Sequence, residues 1–338
     1  AETVRLLRAA TGELHRLGIT GIIEASTGPL LLQAFEELAS SGDLGLRVVA
    51  SLGLGIEDPL PIDTLLARAE RFAGHPDIRT DAVKVFADGV PEAHTAALLE
   101  PYEDRHDDRG ILNFSPERLD ELVDSLDTAG MQIHIHALGD AAIRYSLDAL
   151  ADSNPDLRHH ICHLQIVHPD DVPRFAEYGV TANLQGFWAQ GDDLNLSVIE
   201  PIVGDARSSN MYPFGDFKRS GATLAAGSDW PVSTVNPYHA IQVAATRRQI
   251  GVPGDPPYKP DQALEVEDLL KAYTSTNAWL MGMGDVTGTL RPGLSADFAV
   301  LDRNLLGVPA DSIAGTRVMA TFFKGERVYA DPAWTGGD

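Results

Sequence analysis

The most constraining feature of this sequence is an alternation of short apolar runs with amphipathic helical stretches. Seven β-type runs occupy residues 18–26, 46–55, 81–89, 131–140, 158–165, 180–187 and 223–232, and helical stretches separate most of them. This alternation predicts a parallel sheet in an α/β fold. Seven units are one fewer than the eight that close a TIM barrel, and an open doubly wound sheet is the alternative. No glycine-rich phosphate-binding motif follows any run, so a nucleotide-binding fold lacks its main support.

The pattern changes after residue 260. Residues 288–303 and 320–330 alternate apolar and polar side chains, and the second stretch contains a hairpin signal at Lys324-Gly325. We therefore expect two portions: an incomplete barrel over 1–285 and a small β-sandwich portion over 286–338.

The charge balance excludes several classes of partner. The 338 residues contain 26 Lys plus Arg and 49 Asp plus Glu, a formal charge of -23. So acidic a surface disfavours nucleic acid and anionic membranes, and no apolar run is long enough to span a bilayer. The single cysteine, Cys162, fits a reducing compartment. We expect a cytoplasmic protein that binds a small molecule, as a monomer or a homo-oligomer.

The polar residues near the strand ends carry information, because functional groups of parallel barrels collect at the carboxyl ends of the strands. Lys84 lies between Val83 and Val85 of an apolar run, so its side chain must face the interior or a helix. Buried lysines are rare and usually paired. The alternative to a functional lysine is a structural pair with Asp88, four positions further along the same strand face.

Histidines mark two further strand ends. His134 and His136 share one face of a strand, and imidazole is a common ligand of zinc-like metals. Hydrogen-bonded core histidines are the alternative. In RHHICHLQ (158–165), alternation puts Cys162 on the opposite face from His163. His163 is nearest the carboxyl end, and we interpret His159 and His160 as solvated or capping groups.

A carboxylate marks the last strand end. Asp229 in GSDWPV can ligate a metal and take a proton from an attacking water, or it can be a turn aspartate. Lysine, histidines and aspartate on ordered strand ends together indicate a site for Zn²⁺, Mn²⁺ or Fe²⁺ with a metal-activated water. Candidate substrate-binding residues on the loops are Asp88, His94, Gln185, Trp188 and Trp230, and loop packing is the alternative for both tryptophans.

Five ordered motifs resemble the amidohydrolase superfamily, in particular amidohydrolase family 3, which includes N-substituted formamide deformylases. They lie at residues 83–102, 134–143, 158–180, 224–232 and 288–302. The resemblance implies a distorted TIM barrel with a β-sandwich and a divalent metal site, with zinc as the expected ion. It implies that the metal ligands are Lys84 in a carbamylated form, His136, His163 and Asp229. Asp229 would also be the catalytic proton carrier.

Two departures from this family pattern matter. The His-x-His of the family's first strand is absent, and the first strand here matches the family's second, so we expect a fragment that binds metal partially or not at all. A glutamate often precedes the sixth-strand histidine in relatives, where this chain has Cys162. The expected activity is metal-dependent hydrolysis of amide or formamide C–N bonds. The alternatives are a non-catalytic scaffold or small-molecule binder, and a hydrolase of ester or phosphoester bonds.

Overall fold

A seven-stranded parallel sheet forms the body of the protein. The computed structural model describes residues 2–56 and 60–336. The sheet has the sequential order β1 to β7, formed by Gly21–Thr27, Arg47–Gly53, Ile78–Phe86, Gln132–Ala137, His160–His163, Thr181–Leu184 and Leu224–Ala226. Each strand pairs with the next in parallel. All seven predicted runs therefore contain a strand, and the α/β barrel-type fold with one strand fewer than eight is confirmed.

Helices connect the strands and cover the outer face of the sheet. They are α1 to α12, at Glu2–Arg16, Pro29–Ser41, Ile62–Glu70, Pro116–Thr128, Asp140–Leu150, Val172–Glu177, Glu200–Val203, Asp205–Ser208, Phe214–Ser220, Pro237–Thr246, Val266–Lys271 and Asn277–Leu280. Local sequence explains the boundaries of several. The Ser115 side chain caps α4 by accepting from the backbone of Arg118, and α2 ends at Gly42 in the left-handed conformation.

The segment 188–220, which the sequence indicates is irregular, contains short helices. A π-helix spans Leu194–Ile199 and continues directly into α7, and α8 and α9 follow. Gly204 and Pro213 interrupt this segment, so no helix in it is long enough to show a helical period in the sequence.

A small antiparallel sheet follows the parallel one. Its strands are β8, Phe298–Leu301, β9, Val318–Phe323, and β10, Glu326–Ala330, and the predicted hairpin at Lys324 joins the last two. A buried ion network attaches it to the parallel sheet, because Arg47 on β2 contacts Asp297 at 2.8 Å and Asp77 at 3.0 Å. The division of the chain at residue 286 stays a prediction, and its outer limits, residues 1 and 338, lie outside the described residues.

The two edges of the parallel sheet do not pair with each other in the described residues. The segment that contains α11 and α12 covers part of this gap. Asn277 donates to the Ala226 carbonyl on β7 at 2.8 Å, and Met281 lies against Gly21 on β1. A helical segment thus protects edges that would otherwise expose unpaired backbone groups. No helix within the described ranges is long and apolar enough to cross a membrane.

Candidate functional site

The carboxyl ends of the strands open into one large cavity of about 1460 Å³. Strand register brings the predicted residues toward it, because Lys84 pairs with His134 on the neighbouring strand, and Phe86 pairs with His136. The lining includes every predicted metal ligand, namely Lys84, His136, His163 and Asp229. Residues that are up to 145 positions apart in sequence therefore share one cavity at the end of the sheet where barrel enzymes place their chemistry.

Lys84 is 3% exposed and makes two polar contacts in the cavity floor. Its Nζ atom lies 3.1 Å from His134 Nε2 and donates to Cys162 Sγ at 3.1 Å. Among the described residues, no carboxylate lies within ion-pair distance of this amine. The alternative pair with Asp88 is wrong, since Asp88 instead accepts from the backbone N–H groups of three loop residues, Ala97, Leu138 and Gly139.

His136 is held in a neutral form with one ring nitrogen free. Its Nε2 atom lies 3.1 Å from the Gly89 carbonyl oxygen. A carbonyl oxygen only accepts, so Nε2 must carry the proton and Nδ1 keeps its lone pair. Burial, followed by the nearby Lys84 charge, lowers the pKa of His136 to about 4. The ring is therefore neutral at pH 7, as a metal ligand must be.

His163 shows the opposite tautomer. Its Nδ1 atom lies 3.0 Å from Gln185 Oε1, and the Gln185 amide is oriented in turn because its Nε2 donates to Asn183 at 3.2 Å. Nδ1 of His163 therefore donates and Nε2 keeps its lone pair. Burial, followed by the Lys84 charge, lowers the pKa of His163 well below its ordinary value. The His136 and His163 ring centroids are 4.6 Å apart, so the two imidazoles form one donor pair.

Asp229 follows β7 in the left-handed backbone conformation, with a φ of 52°. This strained geometry, uncommon for a residue other than glycine, directs the carboxylate to the cavity mouth. Burial raises the pKa of Asp229, and the Lys84 charge opposes that effect. The carboxylate is thus within electrostatic range of the lysine at the cavity floor.

Strand β5 departs from the alternation that its sequence predicts. Cys162 pairs in register with His136, and both Cys162 and His163 line the cavity. The prediction that they face opposite sides is wrong because His163 and Leu164 have φ values of 80° and 50°, which end the regular strand. A pleat alternates side chains only while the backbone stays extended. The thiol consequently belongs to the site.

His159 and His160 are buried, so their interpretation as solvated groups is also wrong. His160 stacks on His134 with ring centroids 4.0 Å apart. His159 bridges two elements, with Nε2 2.9 Å from Asp127 and Nδ1 accepting from the Ile133 backbone. The charge-rich run RHHICHLQ therefore forms a buried polar layer beneath the site.

The candidate substrate residues divide into two groups. Gln185, Trp188 and Trp230 line the cavity, where Trp188 stacks on the His163 ring at 5.2 Å. Asp88 and His94 do not line it. Asp88 is saturated by backbone donors, and His94 contacts Asp104 through Nε2 at 3.0 Å on the outer side of the loop. Their geometry fits bracing of the loop after β3, not the substrate contact that their positions in the sequence suggest.

The cavity also contains acidic and aromatic side chains that the sequence reasoning missed. Glu24 on β1 lies within range of Lys84, and burial is the main reason that its pKa is raised. A glutamate inside the apolar run GIIEAS is the sequence signal that could have found it. Tyr212, Asp192 and Glu92 lie on another wall and come from loops without such a signal.

The donor set fits a divalent metal in its chemistry. Two neutral imidazoles are each fixed by a hydrogen bond to their second nitrogen, which is how proteins orient histidine ligands. The described residues contain no group of three or more His, Cys, Asp or Glu side chains that could hold an ion by themselves. His136, His163 and Asp229 therefore do not form a three-ligand group in the described residues, and Lys84 is a further side chain that lines the same cavity.

Comparisons with known proteins identify a family and several relatives. Residues 1–329 match the amidohydrolase family. The chain is 31% identical over 252 residues to Protein LONG AFTER FAR-RED 3 of Arabidopsis thaliana, across 73% of this chain and 42% of that protein. It is 22% identical over 339 residues to the N-substituted formamide deformylase of Arthrobacter pascens, across 96% of this chain and 60% of that protein.

A solved structure has a similar fold. The crystal structure of an uncharacterized metal-dependent hydrolase from Pyrococcus horikoshii superimposes with a TM-score of 0.77 at 26% identity, across 91% of this chain and 61% of that one. The chain thus spans about half the length of the curated relatives that it matches. The family match over residues 1–329, together with the strand-end site, shows that this chain belongs to the amidohydrolase family.

Proposed function

We propose that this chain forms the catalytic portion of a metal-dependent hydrolase that cleaves C–N bonds of amide or formamide type in small molecules. The observation that carries the proposal is the convergence of Lys84, His136, His163 and Asp229 on one cavity, with both imidazoles fixed as neutral donors. The names of two relatives, a formamide deformylase and a metal-dependent hydrolase, support the reaction class.

In this proposal His136 would hold the ion through Nδ1, His163 would hold it through Nε2, and Asp229 would supply an oxygen ligand. Lys84 completes the set as a carbamate, formed when its neutral amine adds carbon dioxide and releases a proton. The Lys84 amine is buried at the cavity floor, and no carboxylate in the described residues forms an ion pair with it. When bound, a divalent ion, with zinc as our choice, would polarise the carbonyl and lower the pKa of a water.

Asp229 moves the proton in this scheme. Its carboxylate accepts a proton from the attacking water and delivers it to the leaving nitrogen. Burial raises its pKa, which makes Asp229 a stronger base than an exposed aspartate. Trp188 and Trp230 would contact the substrate, while Gln185 fixes His163. The single buried cysteine supports our assignment of a cytoplasmic location.

The test combines metal loading with a panel of substrates. The metal-free chain is reconstituted with Zn²⁺, Mn²⁺ or Fe²⁺ in bicarbonate buffer and assayed on matched amides, formamides, carboxyl esters and phosphoesters. We expect metal-dependent hydrolysis of the amides, which Asp229→Asn reduces by about 100-fold or more. His159→Asn, which alters a buried histidine outside the cavity, is the matched control. Metal-independent activity, or hydrolysis of esters or phosphoesters alone, would contradict the proposal.

One observation favours a second candidate, a non-catalytic small-molecule binder. The described residues hold no complete metal site of ordinary ligands. This candidate predicts saturable binding of small amides with no turnover under any metal condition. The same reconstitution experiment distinguishes the two, because only the hydrolase requires the Lys84 amine and a bound ion.

A further inference from the structure

Two carboxylates and a buried phenol line the cavity in addition to the metal-ligand candidates. Glu92, Asp192 and Tyr212 all line the cavity. Glu92 lies in a short 3-10 helix, Pro91–Ala93, that packs against the π-helix Leu194–Ile199, and Asp192 precedes that π-helix. The connection after β3 and the segment between β6 and β7 therefore supply the three side chains, which we name the acidic wall.

Tyr212 is the buried member of the acidic wall, and its side chain lines the cavity. It is 3% exposed, and its backbone is fixed with a φ of 51° and a bond from its N–H to the Gln165 carbonyl at 2.9 Å. No described residue hydrogen-bonds to its hydroxyl. Burial, followed by the charges of Asp192 and Glu92, raises the pKa of Tyr212. The phenol thus lies within electrostatic range of both carboxylates.

Both carboxylates keep acceptor capacity for a ligand. Glu92 is exposed and has no hydrogen bond or ion pair with any residue in the described part of the chain. Asp192 accepts one bond from the Asn195 backbone N–H at 2.9 Å through Oδ1, which leaves its second oxygen available. The acidic wall therefore presents carboxylate and phenol oxygens toward the cavity.

The charge of Arg247 opposes that of the two carboxylates at Tyr212, but it acts from outside the cavity. Arg247 is fully buried behind Tyr212, and its guanidinium contacts the Phe214 and Tyr258 rings at 5.2 Å and 5.7 Å from their centroids. Its Nε atom donates to the Tyr258 carbonyl at 2.9 Å, and Arg247 does not line the cavity. A ligand in the cavity thus meets acceptor groups and negative charge, with no basic side chain facing it from this wall.

We propose that the acidic wall is a subsite for a primary ammonium group on the substrate. An ammonium group has three N–H donors, which match the acceptor oxygens of Glu92, Asp192 and Tyr212. Its positive charge complements the two carboxylates, and charge-assisted hydrogen bonds are the stronger kind. This inference rests on the proposed function, since it defines the substrates as small amides with a cationic amine on the arm distant from the cleaved bond.

The test uses three ligands of similar length, of which one is cationic, one is uncharged and one is anionic. Calorimetry measures the Kd of N-(4-aminobutyl)acetamide, N-(4-hydroxybutyl)acetamide and 4-acetamidobutanoate with the full chain, without added metal. We expect the amine to bind about tenfold or more tightly than the alcohol, with the carboxylate weakest. Glu92→Gln, Asp192→Asn and Tyr212→Phe should each reduce that preference, and added salt should weaken it.

Asp193→Asn is the matched control, because Asp193 is the exposed neighbour of Asp192 and does not line the cavity. Equal affinity for the amine and the alcohol would overturn the inference, as would an equal effect of the two aspartate variants. Binding is measured without turnover, so failed hydrolysis would count against the proposed function alone. Hydrolysis of amides without any preference for the amine would count against the subsite alone.

Discussion

The bond between Gln185 and His163 gives the sharpest prediction about the metal site. Gln185→Leu keeps the approximate size of the side chain but removes the acceptor that lies 3.0 Å from His163 Nδ1. The buried N–H then loses its hydrogen-bond acceptor, so the tautomer of the His163 ring is no longer fixed. An unsatisfied buried donor costs about 1–3 kcal/mol. Loss of such a supporting bond typically lowers metal affinity by about 10–100-fold.

The assay is a competitive zinc titration against a chromophoric chelator, in bicarbonate buffer at pH 7.5. We expect Gln185→Leu to raise the Kd by about 10–100-fold while the chain stays folded by circular dichroism. Gln242→Leu is the control, since Gln242 is equally buried but its Oε1 accepts from Ala314 near the C-terminal strands. An unchanged Kd for Gln185→Leu, or an equal rise in both variants, would refute the assignment of His163 as a fixed ligand.

Three further predictions concern stability. Burial lowers the pKa of His136 to about 4 from 6.5, so the folded chain takes up protons less readily than the unfolded chain. Urea denaturation should therefore show that the free energy of unfolding falls as the pH drops from 6.5 toward 4. A free energy of unfolding that does not change over this range would contradict the prediction. Arg47→Met should lower the free energy of unfolding by about 3–5 kcal/mol because it leaves the buried Asp297 carboxylate without an ion-pair partner and Asp77 with Lys324 alone. Arg8→Met breaks an exposed ion pair and should lower the free energy of unfolding by at most about 1 kcal/mol. An equal loss of stability in the Arg47 and Arg8 variants would contradict the role of the buried network. Gly18→Ala should lower the Tm, since Gly18 has a φ of 81° and a Cβ there would lie 2.8 Å from another side chain, whereas Gly12→Ala, with open space in α1, should not.

The strand order could be predicted from the sequence because the physical signals are local, and the site residues remain predictions. An apolar run between helical stretches needs no distant partner to be recognised, and each of the seven runs contains a strand. The strand-end positions of Lys84, His136 and His163 follow from the same runs, and the structure brings all three to one cavity.

Local backbone geometry explains what the sequence could not predict. Cys162 faces the cavity through its register with His136, and His163 lies beside it because the chain turns left-handed at that histidine. Nothing in HICHLQ identifies such a turn. The burial of His160 depends on its stack with His134 on the next strand, a contact between elements. Pattern rules assume regular strands, so they fail where a strand ends at a functional site.

The contacts of loop residues were harder to predict from the sequence than the strands. Asp88 looked like a substrate contact because it follows a strand, but it satisfies three backbone N–H groups of its own and neighbouring loops. Tyr212 and Asp192 lie in the segment 188–220, whose path over the cavity depends on tertiary packing. Composition alone gives no indication that these side chains share a wall with Glu92.

The central claim is that the strand-end residues hold a metal with help from a modified lysine. The most direct measurement is a crystal structure of the zinc- and bicarbonate-treated chain, with anomalous data collected at the zinc edge. We predict a zinc peak in contact with His136 Nδ1, His163 Nε2 and the Asp229 carboxylate, and carbamate density extending from Lys84 Nζ. A fully loaded crystal with an unmodified Lys84 still bonded to His134 and Cys162, and with zinc bound elsewhere, would contradict it.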